Sequence, residues 1–102
     1  MYKNRRINIF GTKYNIKYVK EVLDKDNCWI YGCTDPTNKI ISISTVLPGG
    51  KPVQKEEIEF TLLHELLYAI LLTGQYNRSS DDEPLVEWLA RCLKSLKEQN
   101  II

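Results

Sequence analysis

A chain of 102 residues, 43% hydrophobic and 26% charged, has apolar side chains for one core and no length for a second. Fourteen basic and thirteen acidic residues leave a net charge of +1, so nucleic acid is not the default partner, and the ordinary composition excludes disorder of the whole chain. The longest apolar run, Leu66 to Leu72, is about a third of what a membrane span needs.

Along the chain, the basic cluster Lys3 to Arg6 reads as a solvated tail, and no apolar leader is expected because Asn4, Arg5 and Arg6 interrupt the start. Ile7 and Ile9, then Tyr14, Ile16 and Tyr18, alternate with polar residues about Gly11-Thr12, the pattern of a half-buried hairpin. Glu21 to Asn27 is a charged connection with room for one helical turn. Trp29 to Tyr31 begins a third apolar run, which Gly32 and the turn-forming Asp35-Pro36-Thr37-Asn38 should end. Ile40 to Val46 is a strand with Ile41 and Ile43 on one face and Ser42 and Ser44 on the other. Pro48 to Pro52 forbids regular structure and marks a hinge.

Two helices follow. Glu56 to Thr73 is made of helix formers and stops at Gly74, a suitable C-cap. Gln75 to Asp82 is polar loop, and Ser80 or Asp82 can cap a second helix with Pro84 in its first turn. That helix runs to Glu98 with Leu85, Leu89, Cys92, Leu93 and Leu96 on its apolar face. The expected fold class is α+β: one domain over residues 1–102, a small antiparallel sheet of three to four strands packed on two helices.

Cys28, Cys33 and Cys92 are too few and too irregular for a disulfide framework, so a reducing cytoplasm is expected, with the cysteines as buried small hydrophobes. A Cys–His nucleophilic pair with His64 has no motif behind it.

The first helix is apolar almost all round, yet Glu57, Thr61, His64, Glu65 and Tyr68 share roughly an 80° sector. Polar groups on a buried helix need partners or a wet cleft, because each one left unpaired costs about 1–3 kcal/mol. A lone histidine of this kind is more often a hydrogen-bonded core residue than a metal ligand, and the stripe alone does not decide between them.

The segment Thr61-Leu62-Leu63-His64-Glu65-Leu66-Leu67-Tyr68-Ala69-Ile70 resembles the active helix of small zincin-type proteins of phages and mobile elements, the ImmA/IrrE and minimal gluzincin group. Their motif reads T-L-x-H-E-x-x-H-A-I. In that motif two histidines one turn apart grip zinc, the glutamate between them takes a proton from the metal-bound water, and a glutamate on the next helix is the third ligand. The resemblance makes His64 the first metal ligand, Glu65 the catalytic base and Glu83, or less readily Glu87, the third ligand, with Thr61 and Tyr68 lining the cleft.

The pattern is incomplete. Tyr68 stands where the second histidine belongs, and His64 is the only histidine in the chain. A phenol of pKa near 10 is a poor zinc ligand at neutral pH. The resemblance therefore implies a degenerate, zincin-like domain: an inactive phage or mobile-element protein of the bacterial host cytoplasm that binds another protein and needs no cofactor. Two readings stand beside it. One is an active small metallopeptidase with zinc on an atypical His/Tyr/Glu site; the other is an unrelated interaction domain in which His64-Glu65 is coincidence.

Overall fold

Strands β1 (Arg5–Ile9) and β2 (Thr12–Val19) form an antiparallel hairpin in a computed structural model that describes residues 2–100. Its two-residue turn needs positive φ twice, and Phe10 (47°) and Gly11 (97°) supply it; the Gly11 N–H donates to Asn8 Oδ1 at 2.6 Å. Alternation sends Tyr14 and Ile16 into the core and leaves Lys13, Asn15 and Lys17 outside. Arg5 and Arg6 are solvated as expected, but they belong to β1 rather than to a tail.

Glu21 to Asn27 holds no helical turn. It contains β3 (Val22–Leu23), which pairs with β4 (Trp29–Ile30) as a separate two-stranded ribbon, closed by Asp24 accepting from the N–H groups of Asp26 and Cys28. Gly32 does not end a strand but begins one. The chain leaves the ribbon at Tyr31 and enters the main sheet as β5 (Gly32–Asp35), turning at Asp35 into β6 (Ile40–Ser44). Asp35 accepts from the N–H groups of Thr37 and Asn38, which fixes that turn.

The sheet order is β1-β2-β6-β5, and β2 runs parallel to β6, so the sheet is mixed and not antiparallel throughout. Ile16, Ile41 and Ile43 are completely buried on the face that receives the helices. Ser44 is buried on the other face because the ribbon lies over it: its hydroxyl donates to the Ile30 carbonyl and accepts from the Val22 N–H. Pro48 to Pro52 is a closed turn rather than a hinge, with the Leu47 N–H bonded to the Lys51 carbonyl at 2.7 Å.

Helix α1 (Lys55–Thr73) is continuous and lies across the sheet. Gly74 caps it with φ of −82°, and the left-handed conformation falls one residue later, at Gln75. A short helix, α2 (Asn77–Ser80), interrupts the polar loop and includes Ser80, leaving the capping of α3 (Glu83–Glu98) to Asp82, whose carboxylate accepts from the Leu85 N–H at 3.2 Å. The fold is thus α+β, with three helices rather than two among the described residues.

The buried face of α3 is turned from the one expected. Val86 and Ala90 are fully buried and Leu89 and Leu93 flank them, while Leu96 is 38% exposed. The small side chain of Ala90 lets α3 approach α1 closely at Leu67, and that contact sets the rotation. No helix among the described residues is long and apolar enough to cross a membrane.

Gly32 has a packing reason. A Cβ there would meet Thr61 Cγ2 at 2.7 Å and the Ser42 carbonyl oxygen at 2.9 Å, and the latter is backbone that cannot swing away. Gly32→Ala is therefore expected to lower stability by about 1–3 kcal/mol, read as a lower urea midpoint at unchanged slope.

Candidate functional site

The polar sector of α1 faces β5 on one side and α3 on the other. His64 lies between two shallow cavities of about 370 Å³ each. The first is bounded by Tyr31, Glu57, Phe60, Thr61, Glu87 and Arg91, and the second by Cys33, Thr34, Tyr68, Leu72 and Glu83; Gly32, His64 and Glu65 border both. The sequence-derived set Thr61, His64, Glu65, Tyr68 and Glu83 is thus gathered in one region.

Glu65 is the most constrained member. It is only 7% exposed, and the Thr34 hydroxyl donates to its Oε1 at 2.8 Å, while its Oε2 lies 3.3 Å from His64 Nδ1. A buried carboxylate held by two donors avoids the full cost of desolvation. Thr34 Oγ1 is also 3.1 Å from the Glu65 carbonyl, so one hydroxyl ties β5 to the backbone and side chain of α1.

The other imidazole nitrogen, Nε2, is 3.6 Å from Glu83 Oε2. Tyr68 meets the His64 ring edge-on at a centroid distance of 5.1 Å, and Phe60, one turn earlier, lies at 6.1 Å. Glu87 is exposed, borders the first cavity and pairs with Arg91 at 2.9 Å. The Arg91 guanidinium also covers the Phe60 ring at 5.0 Å.

The hydrogen bond to Glu65 lifts the His64 pKa above its ordinary 6.5; burial pulls it down, and the charges of Glu65, Glu83 and Glu87 add to the rise. Because the folded pKa exceeds the unfolded one, protonated His64 contributes stability that is fully present below the unfolded value. It is lost as pH rises through the folded value. His64 is the only histidine, so its ring C–H resonance titrates without ambiguity in a proton NMR spectrum. The midpoint is expected above 6.5 and lower in Glu65→Gln, which removes the charge but can still hydrogen-bond; an unchanged midpoint in that variant would refute the pairing.

The donors present do not fit a catalytic zinc ion. Such a site takes three protein donors and keeps a fourth position open. Here His64 Nε2 and Glu83 offer two, and Glu65 is turned to Thr34. Among the described residues no group of three His, Cys, Asp or Glu side chains is arranged to hold a metal.

Cysteine does not supply the missing donor. Burial, with the charges of Glu65 and Asp35 adding to it, pushes the Cys33 thiol up from its ordinary value, away from the thiolate that a nucleophile needs. Cys28, expected to be buried, is exposed at the ribbon turn, and Cys92 is half-buried.

Thr34, Gly32 and Arg91 were not among the residues singled out by sequence. Thr34 carries no local signal, since its partner lies 31 residues away. Arg91 was findable as the i+4 partner of Glu87. No family model, curated protein or solved structure matches the chain.

Proposed function

We propose that this chain is a zincin-like domain that has lost its metal and acts by binding another protein, in the bacterial host cytoplasm that the resemblance implies. The observation that carries the reading is the engagement of Glu65. Its carboxylate is held by Thr34 and faces His64, in a donor set with a single imidazole. A general base for a metal-bound water has to face that water, whereas this one anchors β5 to α1. The cleft beside it, walled by Tyr31 and Phe60, supplies the aromatic surface that protein partners use.

Metal analysis on protein purified without chelator tests the reading. The expected result is substoichiometric zinc, a melting temperature that chelator leaves unchanged, and no hydrolysis of a casein substrate. Stoichiometric zinc, with a chelator-sensitive hydrolysis that Glu65→Gln abolishes, would establish the active His/Tyr/Glu metallopeptidase instead.

A further inference from the structure

The near-zero net charge averages over an uneven distribution along the chain. Of the fourteen basic residues six lie in the first twenty positions, and none of the thirteen acidic residues does. Arg6, Lys13 and Lys17 lie on the outer face of the β1–β2 hairpin and Lys3 and Lys20 flank it, while Arg5, paired with the buried Ile16, lies on the side that faces the helices. Among the described residues none of them forms an ion pair. The carboxylates of the candidate site, Glu57, Glu65, Glu83 and Glu87, lie on the side of the sheet opposite that outer face.

Register places Arg6 beside Asn15 and Asn8 beside Lys13 on the outer face of the hairpin, with Lys17 beside Ser42 of β6. A depression of about 250 Å³ between Asn4, Arg5, Arg6, Asn15, Ile16 and Lys17 opens at the β1 edge. Within the four-stranded sheet the carboxylate on this outer face is Asp35, on the far edge strand, and the Asn38 and Thr37 N–H groups hold it; Glu21, Asp24 and Asp26 flank β3 in the ribbon at the end of the face.

At the hairpin tip Phe10 is fully exposed and has φ of 47°. A bulky side chain in the left-handed region is a local cost, and the turn would take Asn more readily. Nor does the ring gain by burial, because it touches only solvent. Cost without an internal return marks a position used by something outside the chain.

We infer that the outer face of the β1–β2 hairpin binds single-stranded nucleic acid, its cations meeting phosphates and the Phe10 ring stacking on a base. Cations and an exposed aromatic on one hairpin are the two elements of sequence-tolerant single-strand binding. A duplex suits this face less. Four strands at about 4.8 Å spacing make a shelf about 14 Å across between its outer strands, wider than the ~12 Å major groove. The β3–β4 ribbon over Ser44 walls one end, so a flexible strand can lie across the shelf where a rigid helix meets the wall. A membrane suits it less again, because one phenylalanine gives little apolar surface to insert.

Fluorescence anisotropy with a labelled mixed-sequence oligodeoxynucleotide of about twenty residues tests the assignment. Contacts to three to six phosphates predict a slope of log K against log salt between about −2 and −4. Lys13→Glu and Lys17→Glu should each weaken binding at least about threefold and together at least about tenfold, whereas Lys97→Glu, the same single charge change on α3, should leave it unchanged. Phe10→Asn should weaken binding about tenfold while the melting temperature holds or rises, since Asn-Gly suits the turn. A lower melting temperature in Phe10→Asn would assign the ring to the fold instead. The inference is overturned by absence of salt-dependent binding, by equal or tighter binding of the matching duplex, or by binding of phosphatidylserine vesicles but not of the oligonucleotide. An effect of Lys97→Glu as large as that of either hairpin substitution would equally reduce the face to non-specific charge.

Discussion

Tyr68→Histidine is expected to give a protein that takes up one zinc ion per chain and melts higher with zinc than without it. Two donors are already near the required spacing. Ligands about 2.1 Å from a tetrahedral ion sit about 3.4 Å from each other, and His64 Nε2 and Glu83 Oε2 are 3.6 Å apart. A few tenths of an ångström would close that gap, and Glu83 is exposed and free to move. The introduced imidazole lies one helical turn from His64, where the Tyr68 ring now meets it edge-on.

Without zinc the variant should be less stable than the parent, because the Tyr68 ring also packs on the α1–α3 cluster around Leu67 and Val86. Zinc at a hundredfold excess over its dissociation constant would restore about 2.7 kcal/mol. Calorimetric titration and a pair of melting curves measure both effects. If the variant binds no zinc although it folds, the scaffold is not metal-competent, and the likeness at Thr61 to Ile70 is one of sequence only. If the parent binds zinc equally well, Tyr68 is not what prevents metal binding.

The parts legible in the sequence are those whose signal is local. The hairpin showed as alternation of Ile7, Ile9, Tyr14 and Ile16 about a glycine turn, and α1 as an uninterrupted helix-forming run. Thr61, His64, Glu65 and Tyr68 could be grouped because helical spacing fixes neighbours one turn apart.

What the sequence hid depends on partners distant along the chain. Alternation in Ile40 to Ser44 shows which residues face the core but not that β2 is the neighbour, nor that it runs parallel. Trp29 to Tyr31 and Gly32 to Asp35 look like one strand and its turn. Only the paired partners, Val22 and Leu23 for one and β6 for the other, divide them between two sheets. On α3 the leucines mark an apolar side, but the small residues Ala90 and Val86 decide where helices meet most closely. Net charge fails in the same way, since a sum carries no position.

Ile43→Ala is expected to produce the largest loss of stability of the substitutions considered, about 2–5 kcal/mol. Ile43 is completely buried and lies on β6, between the parallel partner β2 and the edge strand β5. Its Cδ1 reaches to within 3.3 Å of where a Cβ on Gly32 would stand, directly under the contact of Gly32 with Thr61. Truncation therefore removes three heavy atoms from the layer that holds β5 against α1, and the neighbours cannot collapse into the gap. Tyr18 across the β2 pairing is held by its own backbone bond to Asn4, and Gly32 has no side chain to fill the space. Against a total of about 5–15 kcal/mol for a domain, such a loss leaves a detectable unfolded fraction. The same gap predicts a change at the site. With β5 less firmly seated, the Thr34–Glu65 bond should open more often, so the Ile43→Ala histidine titration should shift while Ala substitution at the solvated Lys97 leaves it unmoved. A loss under about 1 kcal/mol by urea unfolding would contradict the burial of Ile43. A full loss with an unaltered titration would mean that Thr34 and Glu65 hold each other without help from the sheet beneath them.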